Sequence, residues 1–185
     1  MKEVYVVGIT GGSGSVLGIR LLENLRDYEV HLAISDSAFR VLDLETDYTR
    51  EYVKSLATYT YDDKDIAARI SSGSFRFNTM AIVPCSISTL GKISSGISDT
   101  LITRAAAVAL KEKRRLILVP REMPLSTIVL ENMTRLSRDG AIIAPAIPGY
   151  YNRPKTSEEM IDFVVSRILD LMGVENSLMK RWKSG

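Results

Sequence analysis

Short, almost uninterrupted apolar runs, each halted by glycine or proline and followed by a stretch of helical period, constrain this chain more than any other feature. YVV at 5–7, AIV at 81–83 and LILV at 116–119 are too apolar for strands with one wet face. They suit a parallel sheet covered by helices on both sides. Strands are expected at 4–8, 30–34, 79–83, 116–119 and 141–144, the third and fourth stopped by Pro84 and Pro120. Helices are expected at 13–25, 36–44, 101–113, 126–138 and 158–172, the last closed by Gly173. The stretch 45–78 is the least regular and holds Tyr48, Tyr52, Tyr59 and Tyr61. The fold class is α/β, a Rossmann-like three-layer α/β/α sandwich on a mainly parallel sheet, in which ligands sit beyond the carboxyl ends of strands.

At 185 residues, residues 1–185 are expected to make a single domain. Lys and Arg number 24 against 22 Asp and Glu, a formal charge of +2 that gives no chain-wide pull towards nucleic acid, so an anion must be bound locally. One cysteine, Cys85, and one histidine, His31, are too few for a thiolate or imidazole zinc site and exclude an internal disulfide. No run approaches a membrane span and the N-terminus lacks a signal pattern, so a cytoplasmic protein without a membrane partner is expected.

Chemistry is expected in the loops after the strands. GITGGSGSVLG, with Gly11, Gly12 and Ser13, lets the backbone approach an anion at a helix N-terminus, although its spacing misses the dinucleotide fingerprint and it lacks a P-loop lysine. A tight turn without a ligand is the bland alternative. PCSISTLG offers Ser86, Ile87, Ser88 and Thr89 as a second cradle or as ordinary caps. Cys85 beside it reads as a small buried residue, with no base to activate it. PREMPLS puts Arg121 and Glu122 between two prolines, as an anion ligand and a tunable acid or base, or as a solvated ion pair. Arg104 and Lys111 share one helix face, seven residues apart. PAIPGYYNRP stiffens Tyr150 and Tyr151, and Arg167 follows on the last helix. His31 sits inside a strand and is more a structural group than a catalyst.

TGGSG, PCS with ISTL, RAAAVALKEKR, LVPRE, LENM, PAIPGYYNRP and KRW, in that order over nearly the whole chain, resemble the flavin prenyltransferase family, UbiX or Pad1-like. The resemblance implies an enzyme that joins the dimethylallyl group of dimethylallyl phosphate to N5 and C6 of reduced FMN. The product, prenylated FMN, would serve a UbiD-type decarboxylase. It implies FMN contacts at Gly11, Gly12, Ser13, Ser35, Ser86, Ile87, Ser88, Thr89 and Arg121. Prenyl phosphate contacts fall on Arg104, Lys111, Tyr151 and Arg167, and catalytic roles on Ser13, Glu45, Lys111 and Glu122, with no metal. Several of these are implied to meet only between subunits of a dodecamer. Ile66 stands where bacterial relatives often carry an aromatic, and Trp182 is the only tryptophan. The rivals are an FMN-dependent cysteine decarboxylase, which needs a catalytic histidine after the first helical region, and a non-catalytic FMN carrier.

Overall fold

The computed structural model describes residues 3–180, which contain the whole sheet. Six parallel strands lie in the order β3-β2-β1-β4-β5-β6. These are β1 (Val4–Ile9), β2 (Glu29–Ile34), β3 (Tyr59–Asp62), β4 (Thr79–Cys85), β5 (Arg115–Pro120) and β6 (Ile142–Ile143). The helices are α1 (Ser15–Glu23), α2 (Asp36–Glu45), α3 (Arg50–Ser55), α4 (Ile87–Ser94), α5 (Leu101–Lys111), α6 (Thr127–Arg138) and α7 (Ser157–Met172). A 3-10 turn occupies Arg69–Ser71.

Strand alternation divides the apolar side chains between two cores. Tyr5, Val7, Ile9, Ala81 and Val83 point into one with Leu17 and Leu21 of α1 and Val165 and Leu169 of α7. Val6, Met80 and Ile82 point into the other with Leu90, Ile102, Ala105 and Met133. Each fully buried aliphatic side chain contributes roughly 1.5–3 kcal/mol, so both faces of the central strands drive the layering.

Two elements lie in the stretch that the sequence leaves irregular. β3 reads YTYD and is mostly exposed, so it lacks the apolar run that marks the central strands, and α3 is a short helix with one buried residue, Val53. β4 runs on through Pro84 to Cys85 rather than stopping before the proline. Its register with β5 shifts between Ile82 and Cys85, so the ladder does not need the N–H that Pro84 lacks. α5 ends at Lys111, two residues earlier than expected, because Lys113 turns to a φ of 54°. None of the helices among the described residues is long and apolar enough to cross a membrane.

The strand order sets the functional edge. From β1 the chain moves one way to β2 and β3, then crosses to β4, β5 and β6 on the other side. The order therefore reverses beside β1, at the carboxyl ends of β1 and β4, where α/β sheets bind ligands.

Candidate active site

Thr10, which follows β1, ties this edge together. Its N–H donates to the Pro84 carbonyl at 3.2 Å, its hydroxyl donates to the same oxygen at 2.9 Å, and the same hydroxyl accepts the Ser86 N–H at 2.7 Å. Thr10 is 3% exposed, so these bonds form in a low-dielectric setting and fix the glycine turn against the PCS loop. Sequence reasoning passes over it because attention falls on the glycines that follow; a buried hydroxyl at a strand end was the available signal.

Gly11 must be glycine for want of room. A Cβ there would lie 2.6 Å from Ser37 Oγ. Gly12 packs over Pro84 and Ser86, and Gly14 has a φ of 100° and caps α1 without a side-chain bond. The missing cap comes from Glu45, the last residue of α2. Its Oε2 accepts the Gly14 N–H at 2.8 Å, the Ser15 N–H at 3.3 Å and the Ser15 hydroxyl at 3.3 Å. Partial burial pushes the Glu45 carboxyl up, but hydrogen bonds from Ser13, the Gly14 and Ser15 amides and the Ser15 hydroxyl outweigh it and hold the group below its usual range.

Three helices, α1, α2 and α4, begin at this edge. Ser35 caps α2 by accepting the Ala38 N–H at 3.1 Å, and its hydroxyl meets that of Ser37 at 3.0 Å. Ser86 caps α4 by accepting the Thr89 N–H at 3.2 Å and donates to Thr89 Oγ1 at 2.9 Å. Ile87 and Ser88 open that helix. Arg121, one residue beyond β5, donates from Nε to the Ser13 carbonyl at 3.4 Å. Gly11, Gly12, Ser13, Ser35, Glu45, Ser86, Thr89 and Arg121 thus converge within one protomer. Backbone amides, hydroxyls, a guanidinium and three positive helix ends form a donor set suited to a phosphate group.

Arg121 and Glu122 do not pair with each other among the described residues. Arg121 turns to Ser13 and the Glu122 Oε1 accepts the Met123 N–H at 3.0 Å, which replaces the solvated ion pair. Arg104 lies exposed in the first turns of α5, whose start is tied beyond β3 by the Asp63 carbonyl and carboxylate. Tyr151 is half exposed with its ring edge-on to Phe163 at 5.6 Å. Lys111 and Arg167 point elsewhere. Lys111 ends α5 and pairs with Glu112 at 2.7 Å, four residues before β5 begins, so it lies at the amino edge of the sheet. A six-residue strand separates the two edges by roughly 17–20 Å. Arg167 pairs with Asp170 at 2.8 Å on the part of α7 whose Leu171 carbonyl meets Arg115, the first residue of β5. A single protomer therefore does not bring Lys111 and Arg167 to the glycine turn.

Two residues take the structural roles expected of them. His31 is fully buried, with Nδ1 2.8 Å from the Tyr61 hydroxyl and Nε2 2.9 Å from Glu29. Cys85 is fully buried and its thiol is pushed up to about 12 by burial alone. Ile66 is exposed in the loop after β3, and Trp182 lies outside the described residues.

A family model described as Flavoprotein matches residues 1–169. The flavin prenyltransferase UbiX of Thermoplasma acidophilum is 62% identical over 177 residues, covering 96% of this chain and 98% of that one. The chain belongs to the UbiX flavin prenyltransferase family. Among solved UbiX structures, AnUbiX in complex with FMN and dimethylallyl pyrophosphate superposes with a TM-score of 0.98 at 44% identity, over 100% of both chains. A dodecameric FMN-dependent UbiX-like decarboxylase from Escherichia coli O157:H7 superposes with a TM-score of 0.95 at 47% identity, over 98% of this chain and 100% of that one. UbiX membership accounts for a Rossmann-like sheet with its glycine turn at the switch point between β1 and β4.

Proposed function

We propose that this UbiX-family chain transfers the dimethylallyl group of dimethylallyl phosphate to N5 and C6 of reduced FMN, without a metal, and that prenylated FMN passes to a UbiD-type decarboxylase. The observation that carries this reading is the convergence of the glycine turn, the Ser86 loop, Arg121 and the Glu45 carboxylate at the sheet's switch point. The reduced flavin supplies an electron-rich N5. Gly11, Gly12, Ser13, Ser35, Ser86, Ile87, Ser88, Thr89 and Arg121 bind and orient it.

Breaking the allylic C–O bond leaves negative charge on the departing phosphate, which Arg104, Lys111 and Arg167 offset, with Tyr151 beside them. Because Lys111 and Arg167 face away from their own protomer's turn, neighbouring copies supply them, in keeping with the dodecamer formed by the Escherichia coli relative. Exposed apolar side chains near the carboxyl edge, Met123, Ile128, Ile147 and Tyr150, are suited to burial between such copies. The N5 proton leaves with the phosphate. Ring closure then joins C6 to one alkene carbon while the other alkene carbon takes up a proton and C6 loses one. Glu122 accepts the C6 proton and returns it to the alkene carbon, since Glu45 commits its Oε2 to the α1 amides and orients Ser13.

A cysteine decarboxylase would need an imidazole, and the one histidine of the chain is held between Tyr61 and Glu29. Incubation of the protein with reduced FMN and dimethylallyl phosphate in the presence of a chelator tests the proposal by mass spectrometry of the flavin. A flavin heavier by one prenyl unit is expected. Unchanged flavin mass with folded, FMN-loaded protein would favour the carrier. The work is assigned to the cytoplasm.

A further inference from the structure

Gly73 lies in the loop between the 3-10 turn at Arg69–Ser71 and β4, and its φ falls outside the left-handed region, so backbone conformation does not demand glycine there. Space does. A Cβ would stand 2.6 Å from Glu112 Oε1 and 2.9 Å from Lys111 Nζ, two atoms that are themselves 2.7 Å apart. The loop is pinned from the same end of α5. Arg114 donates to the Gly73 and Phe75 carbonyls, both at 2.6 Å, and its guanidinium lies 4.6 Å from the centre of the Phe77 ring. The missing side chain of Gly73 thus opens a slot, Arg114 holds the slot in place, and the Lys111–Glu112 pair fills it.

We propose that Gly73, Glu112 and Arg114 form a bracket that positions the Lys111 ammonium for a prenyl phosphate bound against a neighbouring protomer. The inference rests on the leaving-group role proposed for Lys111. An ammonium has three N–H donors, and Glu112 takes one, which leaves two for phosphate oxygens. An exposed ion pair by itself fixes a long lysine weakly, and the pinned loop supplies the wall that it lacks. Gly73, Glu112 and Arg114 are positioning residues, acting through Lys111.

Steady-state prenyl transfer by the assembled enzyme, at saturating reduced FMN and varied dimethylallyl phosphate, compares wild type with Lys111→Ala, Gly73→Ala, Glu112→Gln and the Gly73→Ala/Lys111→Ala double variant. Lys111→Ala is expected to lower kcat/KM about 100-fold. Gly73→Ala and Glu112→Gln are each expected to lower it about 10-fold with FMN affinity unchanged, and Gly73→Ala less than about two-fold once Lys111 is gone. Losses that multiply in the double variant, or wild-type rates for Gly73→Ala and Glu112→Gln beside an impaired Lys111→Ala, overturn the bracket and leave the role of Lys111 standing. A wild-type rate for Lys111→Ala overturns that role and the bracket with it. Should Gly73→Ala fail to assemble, Glu112→Gln alone and combined with Lys111→Ala makes the same comparison.

Discussion

The Glu45 carboxylate at the end of α2 accepts the Gly14 N–H at 2.8 Å and so caps a helix that lies earlier in the chain and has no side-chain cap of its own. Charge-assisted bonds to orphan amides hold this carboxyl below its usual range, with partial burial opposing them. A depressed folded value means that the stabilisation is complete above the unfolded glutamate value of about 4.3 and is lost as pH falls through the folded one. Glu45→Ala is expected to cost about 1 kcal/mol in urea unfolding at pH 7, a modest figure because the site is partly solvated. The variant should also lose the part of the acid sensitivity that lies below about pH 4.3. An unchanged urea midpoint would remove the cap from the account of α1.

Arg121 and Glu122 are neighbours with separable tasks. Arg121 reaches the Ser13 carbonyl, whereas Glu122 folds back on the Met123 amide. Arg121→Ala is expected to weaken FMN binding about tenfold, the cost of one charge-assisted contact. Glu122→Gln should retain FMN and slow prenyl transfer by about 100-fold. Flavin fluorescence titration beside turnover checks both, and equal loss of FMN in the two variants contradicts the division.

Gly18 sits inside α1, where alanine ordinarily stabilises a helix by about 1 kcal/mol. Here a Cβ would stand 2.4 Å from the Val83 carbonyl oxygen of β4 and 2.9 Å from Ile9 Cδ1. The obstructing oxygen belongs to a central strand and cannot swing aside, so Gly18→Ala is expected to lose about 3 kcal/mol or more. Gly91→Ala in α4 meets only Asn132 Nδ2 at 3.7 Å and should be neutral or stabilising. Thermal melts of the pair give the comparison directly.

The central strands and most helices were legible because Val, Ile and Leu at 5–7, 81–83 and 116–119 can be buried only on both faces of a parallel sheet. β3 was not, since Tyr59 and Asp62 face solvent at the sheet edge and its inward anchor is the bond from Tyr61 to His31. That the glycine loop, Ser86 and Arg121 lie at one edge of the sheet was legible from their motif positions at strand ends. The Thr10 clasp and the contact between Gly11 and Ser37 were not, because each depends on residues 26 to 76 positions apart meeting at one edge. The sharing of Lys111 and Arg167 between copies was implied by family resemblance alone; their distance from the turn is a consequence of where α5 and α7 end.

Two buried groups shape the stability curve on either side of neutrality. Burial lowers the His31 pKa against the pull of Glu29, so below about pH 6.5 the unfolded chain takes up a proton that the folded chain does not, and stability falls. Burial pushes the Cys85 thiol up to about 12. Above about pH 8.5 the unfolded thiol ionises while the folded one stays neutral, and stability falls again. Urea midpoints measured from pH 5 to pH 10 should show both slopes, the acid one flattened in His31→Gln and the alkaline one in Cys85→Ala. Slopes that persist in these variants would assign the effect to other groups.

Shared sites predict complementation between inactive partners. Lys111→Ala removes a cation that lies at the amino edge of its own sheet, and Glu122→Gln removes a carboxylate at the carboxyl edge. If a site draws its lysine and its carboxylate from different protomers, random co-assembly of the two variants in equal amounts restores about one quarter of the sites to wild-type composition. Mixed, dissociated and reassembled protein should then recover about a quarter of wild-type turnover, while either variant treated alone stays at about a hundredth. Ile128→Asp, placed on the exposed apolar patch, should lower both the assembled mass and the activity with the monomer still folded, because the lysine and its substrate then no longer meet. Absence of complementation in assemblies shown by mass to contain both variants would place Lys111 and Glu122 in separate functions and require the leaving phosphate to be held by residues of one protomer.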